Sequence, residues 1–319
     1  MKGIKIYLIL LAFLVVAVIV GDWYSKRPDT MEANKFEYNI EQFRKVPNNL
    51  VKYKETKNFK VGFENPKGIE IANSKIYVVG DQKLRIIDFS GNLLQEVGFL
   101  EEPHSLDIKG DKIYVVFERF VWVLNHQGKT LHRWEASDED TYFIAIAVAD
   151  NAFYVANAGT RKIMRFSEMC ELLNEFEGQS NEDLKHGFIV PSPYFDIDIN
   201  VYGDLWVVNP GMHALENYTA EGRLREHWKA SGNQHKNFSG CCNPAHFCFL
   251  PDGSFVTSEK GLVRVKIYKP SGEFWGMVAP PTKFEKSKEG HAPDVAVDEK
   301  GNIYVLDFDR NILRVFEKK

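Results

Sequence analysis

Within Ser239-Gly240-Cys241-Cys242-Asn243-Pro244-Ala245-His246-Phe247-Cys248 stand three of the chain's four cysteines and a histidine. Thiols and an imidazole at this spacing admit three chemistries: a local disulfide from Cys241 or Cys242 to Cys248, a thiolate and imidazole metal site, or a reactive thiol pair. A vicinal Cys241–Cys242 disulfide, closing a small strained ring, is a further form of the first. Covalent c-type haem is excluded, because no Cys-x-x-Cys-His is present. The fourth cysteine, Cys170, lies in a distant repeat and is expected to be free.

Carboxylates join this set through their patterning. Phe195-Asp196-Ile197-Asp198-Ile199, His246-Phe247-Cys248-Phe249 and Asp294-Val295-Ala296-Val297 alternate between apolar residues and polar or small ones. A strand has a side-chain period of two, so the intervening residues of each segment share one face. Carboxylate, imidazole and thiol groups that converge are suitable ligands for a divalent ion, and the expected metal set is Asp196, His246, Asp294 and Cys248, with zinc (Zn) or calcium (Ca) as the ion. The competing expectation is a polar channel whose charges are satisfied by neighbours and water. No Gly-x-Ser-x-Gly, P-loop or Rossmann fingerprint offers another catalytic centre.

The elements that must position these residues form a repeat. Each unit is a short alternating strand, a Gly or Asp turn, and a second strand with an aromatic before Val: Ile69-Glu70-Ile71 to Ile76-Tyr77-Val78 is the first. Equivalent positions are Tyr77, Tyr114, Tyr154, Trp206, Val256 and Tyr304, spaced 37, 40, 52, 50 and 48 residues apart. Short strands at a period of about 40 to 50 residues indicate a β-propeller. Two more strands follow in each unit, giving four-stranded blades. The last unit ends after three strands, and Phe59-Lys60-Val61-Gly62-Phe63 precedes the first without a blade of its own. That N-terminal strand is therefore expected to close blade six and remove a sheet edge.

Asn65-Pro66-Lys67-Gly68-Ile69, Pro251-Asp252-Gly253 and Asp298-Glu299-Lys300-Gly301-Asn302-Ile303-Tyr304-Val305 resemble NHL repeats over roughly residues 59 to 319. The resemblance implies an all-β, six-bladed propeller, a ring that serves variously as enzyme, ligand sensor or protein-binding platform. In such a ring the inner strands begin on the top face, where blade-to-blade connections also lie. Three long insertions, Gly178 to Val190, Ser231 to Cys242 and Pro281 to Gly290, precede blades four, five and six. Long loops in a compact repeat are commonly functional.

Two narrower resemblances name further residues. Pro103-His104-Ser105-Leu106 is similar to a zinc-histidine phrase of peptidylglycine amidating lyases, although the matching slots of other blades hold Lys67, Ile144, Phe195, Ala245 and Pro293. Asn157, Asn209, Glu259 and Asp307 end their second strands at the top, a pattern similar to the calcium-holding oxygens of senescence-marker-type lactonases. His104, Asn209, Glu259 and Asp307 thus join Asp196, His246 and Asp294 as expected ligand-binding residues.

From Ile6 the chain is apolar to Gly21, preceded by Lys2 and Lys5 and followed by Trp23 and Tyr24. This is expected to be an uncleaved signal anchor, residues 1–24, with a charged linker over 25–57 and the propeller over 58–319, exposed in the periplasm or outside the cell. At 319 residues, 44% hydrophobic and 26% charged, the chain is globular. Its net charge of −4 provides no attraction for a polyanion, so a nucleic-acid partner is not expected. The reading that results is a membrane-anchored platform binding a protein or small-molecule ligand at the top face over blades four to six. The alternatives are a metal-dependent lyase or hydrolase at the same mouth and an extracytoplasmic thiol- or metal-handling protein.

Overall fold

The computed structural model describes residues 2–25, 41–178, 187–284 and 290–319. Two units result: one holding a single helix, α1 (Lys2–Ser25), and a compact unit over Glu41–Lys319. Within α1, Ile4–Trp23 is apolar and long enough to span a membrane. Its 20 residues, at about 1.5 Å each, cover the hydrocarbon thickness of about 30 Å.

The second unit is six sheets of four antiparallel strands. The strand that opens the chain's β structure is β1 (Tyr53–Lys60). Blade 1 comprises β2 (Pro66–Ala72), β3 (Lys75–Gly80), β4 (Lys83–Ile87) and β5 (Leu93–Gly98). Blade 2 is β6 (Pro103–Lys109), β7 (Lys112–Phe117), β8 (Phe120–Asn125) and β9 (Thr130–Glu135). Blade 3 is β10 (Phe143–Val148), β11 (Phe153–Asn157), β12 (Lys162–Phe166) and β13 (Leu172–Phe176). Blade 4 is β14 (Ile197–Ile199), β15 (Leu205–Asn209), β16 (Ala214–Tyr218) and β17 (Leu224–Lys229). Blade 5 is β18 (His246–Phe249), β19 (Phe255–Glu259), β20 (Arg264–Tyr268) and β21 (Phe274–Ala279). Blade 6 takes β22 (Asp294–Val297), β23 (Ile303–Asp307) and β24 (Ile312–Lys318), and β1 completes it. The inner strands touch in the order β2, β6, β10, β14, β18, β22 and back to β2, which closes the ring.

Alternation on the second strands builds the core. Tyr77 and Val79 face blade 2, whereas Ile76 and Val78 face blade 6, and all four are fully buried. The repeat's marker residue does the same in every blade: Tyr114, Tyr154, Trp206, Val256 and Tyr304 each pack into the cluster shared with the next blade. Six apolar clusters therefore sit at six seams, and burying one such large side chain contributes about 1.5–3 kcal/mol.

Closure differs from the sequence expectation in register. β1 pairs with β24 from Tyr53↔Lys318 to Lys60↔Ile312, so the closing strand starts before Phe59. As a largely exposed edge strand, Tyr-Lys-Glu-Thr-Lys-Asn-Phe-Lys carries no apolar alternation. The alternation of Phe59, Val61 and Phe63 marks the crossing into blade 1 instead, where Val61 and Phe63 are buried between blades 6 and 1. Ordered structure also begins earlier than residue 58, since Leu50–Lys52 already lies along β21 through Lys52 N to Met277 O at 2.8 Å.

Candidate functional site

The inner strand of each blade has no ladder partner on its channel side, which leaves backbone amides in need of acceptors. Channel carboxylates supply them across the seams. The Val148 amide of blade 3 donates to Asp107 Oδ2 of blade 2 at 2.6 Å. The Phe247 amide of blade 5 donates to Asp196 Oδ2 of blade 4 at 2.8 Å. The Ile69 amide of blade 1 donates to Asp294 Oδ2 of blade 6 at 3.0 Å. Asp107 and Asp294 take a second amide from their own strands, Ile108 at 2.5 Å and Val295 at 2.8 Å. Asp198 likewise accepts from Ile199 at 2.7 Å and from Phe249 of blade 5.

These groups, with Glu70, His246 and Cys248, line a narrow channel cavity of about 50 Å³. Burial pushes the Asp107 carboxyl up to about 6, despite the amides from Val148 and Ile108. Burial, then the neighbouring carboxylates, holds Glu70, Asp196 and Asp198 well above the usual carboxylate range. Asp294 is raised by burial and drawn back by His246. His246 stands between two of them, its Nδ1 3.8 Å from Asp196 Oδ2 and 3.7 Å from Asp294 Oδ1. Burial lowers its pKa against the pull of Asp294, which favours neutral imidazole.

The structure thus brings Asp196, His246, Asp294 and Cys248 to one cavity, as the alternation predicts. It does not assemble them as metal ligands: among the described residues no group of three His, Cys, Asp or Glu side chains is placed to hold an ion. Asp196 and Asp294 direct oxygens at backbone amides, and burial pushes the Cys248 thiol well up. This donor set does not fit zinc or calcium.

Above the channel opens a cavity of about 630 Å³ to which all six blades contribute. Its walls include His104, His246 and His291 with Tyr142, Tyr194 and Phe308. Tyr194 and Phe308 stand edge-on to His246, with ring centroids 5.5 and 6.1 Å away. His104 Nδ1 lies 2.6 Å from the Phe143 carbonyl, an acceptor, so that nitrogen carries the proton and neutral His104 has its lone pair on Nε2. Tyr142 tilts against the same imidazole at 5.1 Å. His291 Nδ1 meets Asp309 Oδ1 at 2.6 Å. The mouth is centred on the channel and is not confined to the arc of blades 4–6. Tyr142, Tyr194 and Phe308 come from blade-entry loops or strand ends, where no periodicity marks them.

Asn209, Glu259 and Asp307 correct the lactonase-like expectation. Each ends its second strand as foreseen, but each is buried and turned into its own blade. Asn209 accepts from the Ile189 amide at 3.0 Å and donates to Glu216 at 3.0 Å. Asp307 binds Arg310 and Arg314, both at 3.0 Å. Glu259, fully buried, binds Arg264 Nε at 2.8 Å and Lys266 Nζ at 2.6 Å, and also accepts from the Ser239 amide. Arg264 and Lys266 donate in turn to the Asn237 carbonyl, and Phe238 fills the core between blades 4 and 5. The insertion from Ser231 to Cys242 is therefore packed down on blade 5. The other two long insertions lie partly outside the described residues, at 179–186 and 285–289.

All four cysteines are unbonded thiols. Cys170 is buried between blades 2 and 3, and Cys248 lies in the channel, whereas Cys241 and Cys242 adjoin one another at the rim.

No protein-family model matches the chain, and no curated protein matches its sequence. Solved structures do resemble it. Virginiamycin B lyase from Staphylococcus aureus aligns at TM-score 0.60 and 12% identity, covering 84% of this chain and 100% of that one. A catalytically inactive histidine-to-alanine form of that lyase with quinupristin aligns at 0.57 and 15% identity, covering 83% and 88%. The WD40 propeller domain of Doa1 aligns at 0.55 and 13% identity, covering 80% and 79%. At such identities the likeness shows a shared propeller fold, within which sites vary freely.

Proposed function

We propose that this chain is an NHL-type propeller that binds a small molecule, or the end of a peptide, with a cationic or hydrogen-bond-donating group. The mouth cavity carries the reading: its volume of about 630 Å³ falls within the range of about 300–1,000 Å³ for ligand pockets. Histidine and aromatic walls suit a planar or cationic ligand. Below lie five carboxyls, raised first by burial and, at Glu70, Asp196 and Asp198, also by neighbouring carboxylates, whose repulsion a cation would relieve. In this reading Ile4–Trp23 tethers the ring to a membrane, with the propeller on the extracytoplasmic side. A thermal-shift panel pairing amines with neutral isosteres tests it. Amines are expected to raise Tm more than their isosteres, as ligands of the native state do. Equal shifts across every pair would overturn the reading.

A second reading, a lyase acting at the same mouth, draws on His104. Its Nδ1–H is engaged by the Phe143 carbonyl, leaving Nε2 as a general base, and similar folds include the lyase named above. Incubation with quinupristin tests this reading: conversion of quinupristin that is lost in His104→Ala supports it, and intact quinupristin with the wild-type chain counts against it.

A further inference from the structure

At the rim of the mouth Cys241 and Cys242 present their sulfurs to each other, Sγ to Sγ 3.1 Å. Cys241 is exposed and Cys242 is 2% exposed, so only the first can meet a reagent from solution. The surrounding loop is braced. Asn243 donates to the Ser239 carbonyl at 2.5 Å and accepts from the Lys260 amide at 2.9 Å, while His213 Nε2 lies 2.6 Å from the Gly240 carbonyl. Burial opposes ionisation of Cys242, but the Ser192 hydroxyl, Cys241 and the Lys260 ammonium outweigh it and lower its pKa. Lys260 Nζ also lies 3.2 Å from Ser192 Oγ and 5.2 Å from the centroid of Tyr194, a wall of the mouth.

We propose that Cys241 and Cys242 are a redox couple, in which the exposed thiol takes up a low-molecular-mass disulfide and its buried neighbour resolves the adduct into a vicinal disulfide. Cys241, as it loses its proton, attacks one sulfur of the oxidant, breaking its S–S bond and releasing one half as a thiolate that takes up that proton. The adduct is a mixed disulfide on Cys241. Cys242 then loses its own proton and attacks Cys241 Sγ, forming the Cys241–Cys242 bond and expelling the second half as a thiolate that takes up that proton. Two protein thiols are oxidised, and one disulfide is reduced to two thiols. Oxidation removes both ionisable thiols from the neighbourhood of Lys260 and Tyr194. The redox state of the pair thereby sets the electrostatics of the mouth wall.

The test incubates the reduced full chain with excess oxidised glutathione, alkylates remaining thiols after denaturation, and locates every adduct by peptide mass spectrometry. The wild-type peptide is expected to lose two hydrogens, with alkyl on Cys248 and none on Cys241 or Cys242. Cys242→Ser is expected to retain glutathione on Cys241, because nothing resolves it, and Cys241→Ser to leave Cys242 unmodified over the same period. Glutathione persisting on Cys241 of the wild type would overturn the proposal. So would alkylation of both adjacent thiols, or a bond from either to Cys248.

Discussion

The carboxylate of Asp294 in blade 6 accepts the Ile69 amide of blade 1 at 3.0 Å, across the seam where the ring closes. Ring closure by β1 holds the outer part of blade 6 together, and this bond fastens the inner edge. Asp294→Ala leaves a channel amide without its acceptor, so a loss of about 1–3 kcal/mol is expected by chemical denaturation. Hydrogen exchange locates the effect: the Ile69 amide should exchange faster while the Val148 amide, held by Asp107, keeps its protection.

Asp107 makes a pH prediction. Its folded pKa, about 6, lies above the ordinary aspartate value of 3.8, so the native state binds the proton more tightly than the unfolded chain. The resulting stabilisation is full below about 4 and is lost as pH rises through about 6. Asp107→Asn removes that titration, and its curve of stability against pH should be flatter than the wild type's between about 4 and 6. Parallel curves over that window would contradict the assignment.

The buried cluster of blade 5 separates a charge from its partners. Glu259→Gln strands Arg264 and Lys266, both fully buried, and is expected to cost about 3–5 kcal/mol. Burial drives the Lys266 pKa down to about 7, so Lys266→Met replaces a cation already easily discharged and leaves the Glu259–Arg264 pair intact. Urea denaturation of the two variants should rank them, with Glu259→Gln far the weaker.

Anchoring by α1 predicts the partition of the chain. The full chain should stay with membranes after alkaline carbonate extraction, and a chain beginning at Glu41, the start of the compact unit, should be released. Release of both would leave the helix a cleaved signal sequence or an unused apolar segment.

The ring was legible because five blades repeat one aromatic at one seam and blade 5 sets Val256 there, so the residues from Tyr77 to Tyr304 occupy the places their spacing demands. Alternation also delivered Asp196, His246, Cys248 and Asp294 to the channel. What they do there was not legible, since a carboxylate that accepts a backbone amide from the next blade has the same local pattern as a metal ligand. For Glu259 a signal was available. Arg264 and Lys266 share one face of β20 across the hairpin, an arrangement that foretells an internal ion cluster. Tyr142 and Tyr194 were hidden because loops follow no period.

Calorimetry on the strongest amine from the thermal-shift panel shows whether the channel mouth is where a ligand binds. Tyr194→Ala removes a wall of the cavity, whereas Tyr202→Ala alters an 81% exposed side chain in the turn at the opposite end of blade 4. The expected affinity is at least about tenfold weaker for Tyr194→Ala, a loss of about 1.4 kcal/mol, with Tyr202→Ala unchanged. Unaltered affinity in Tyr194→Ala would place the ligand elsewhere and rule out the mouth as its site.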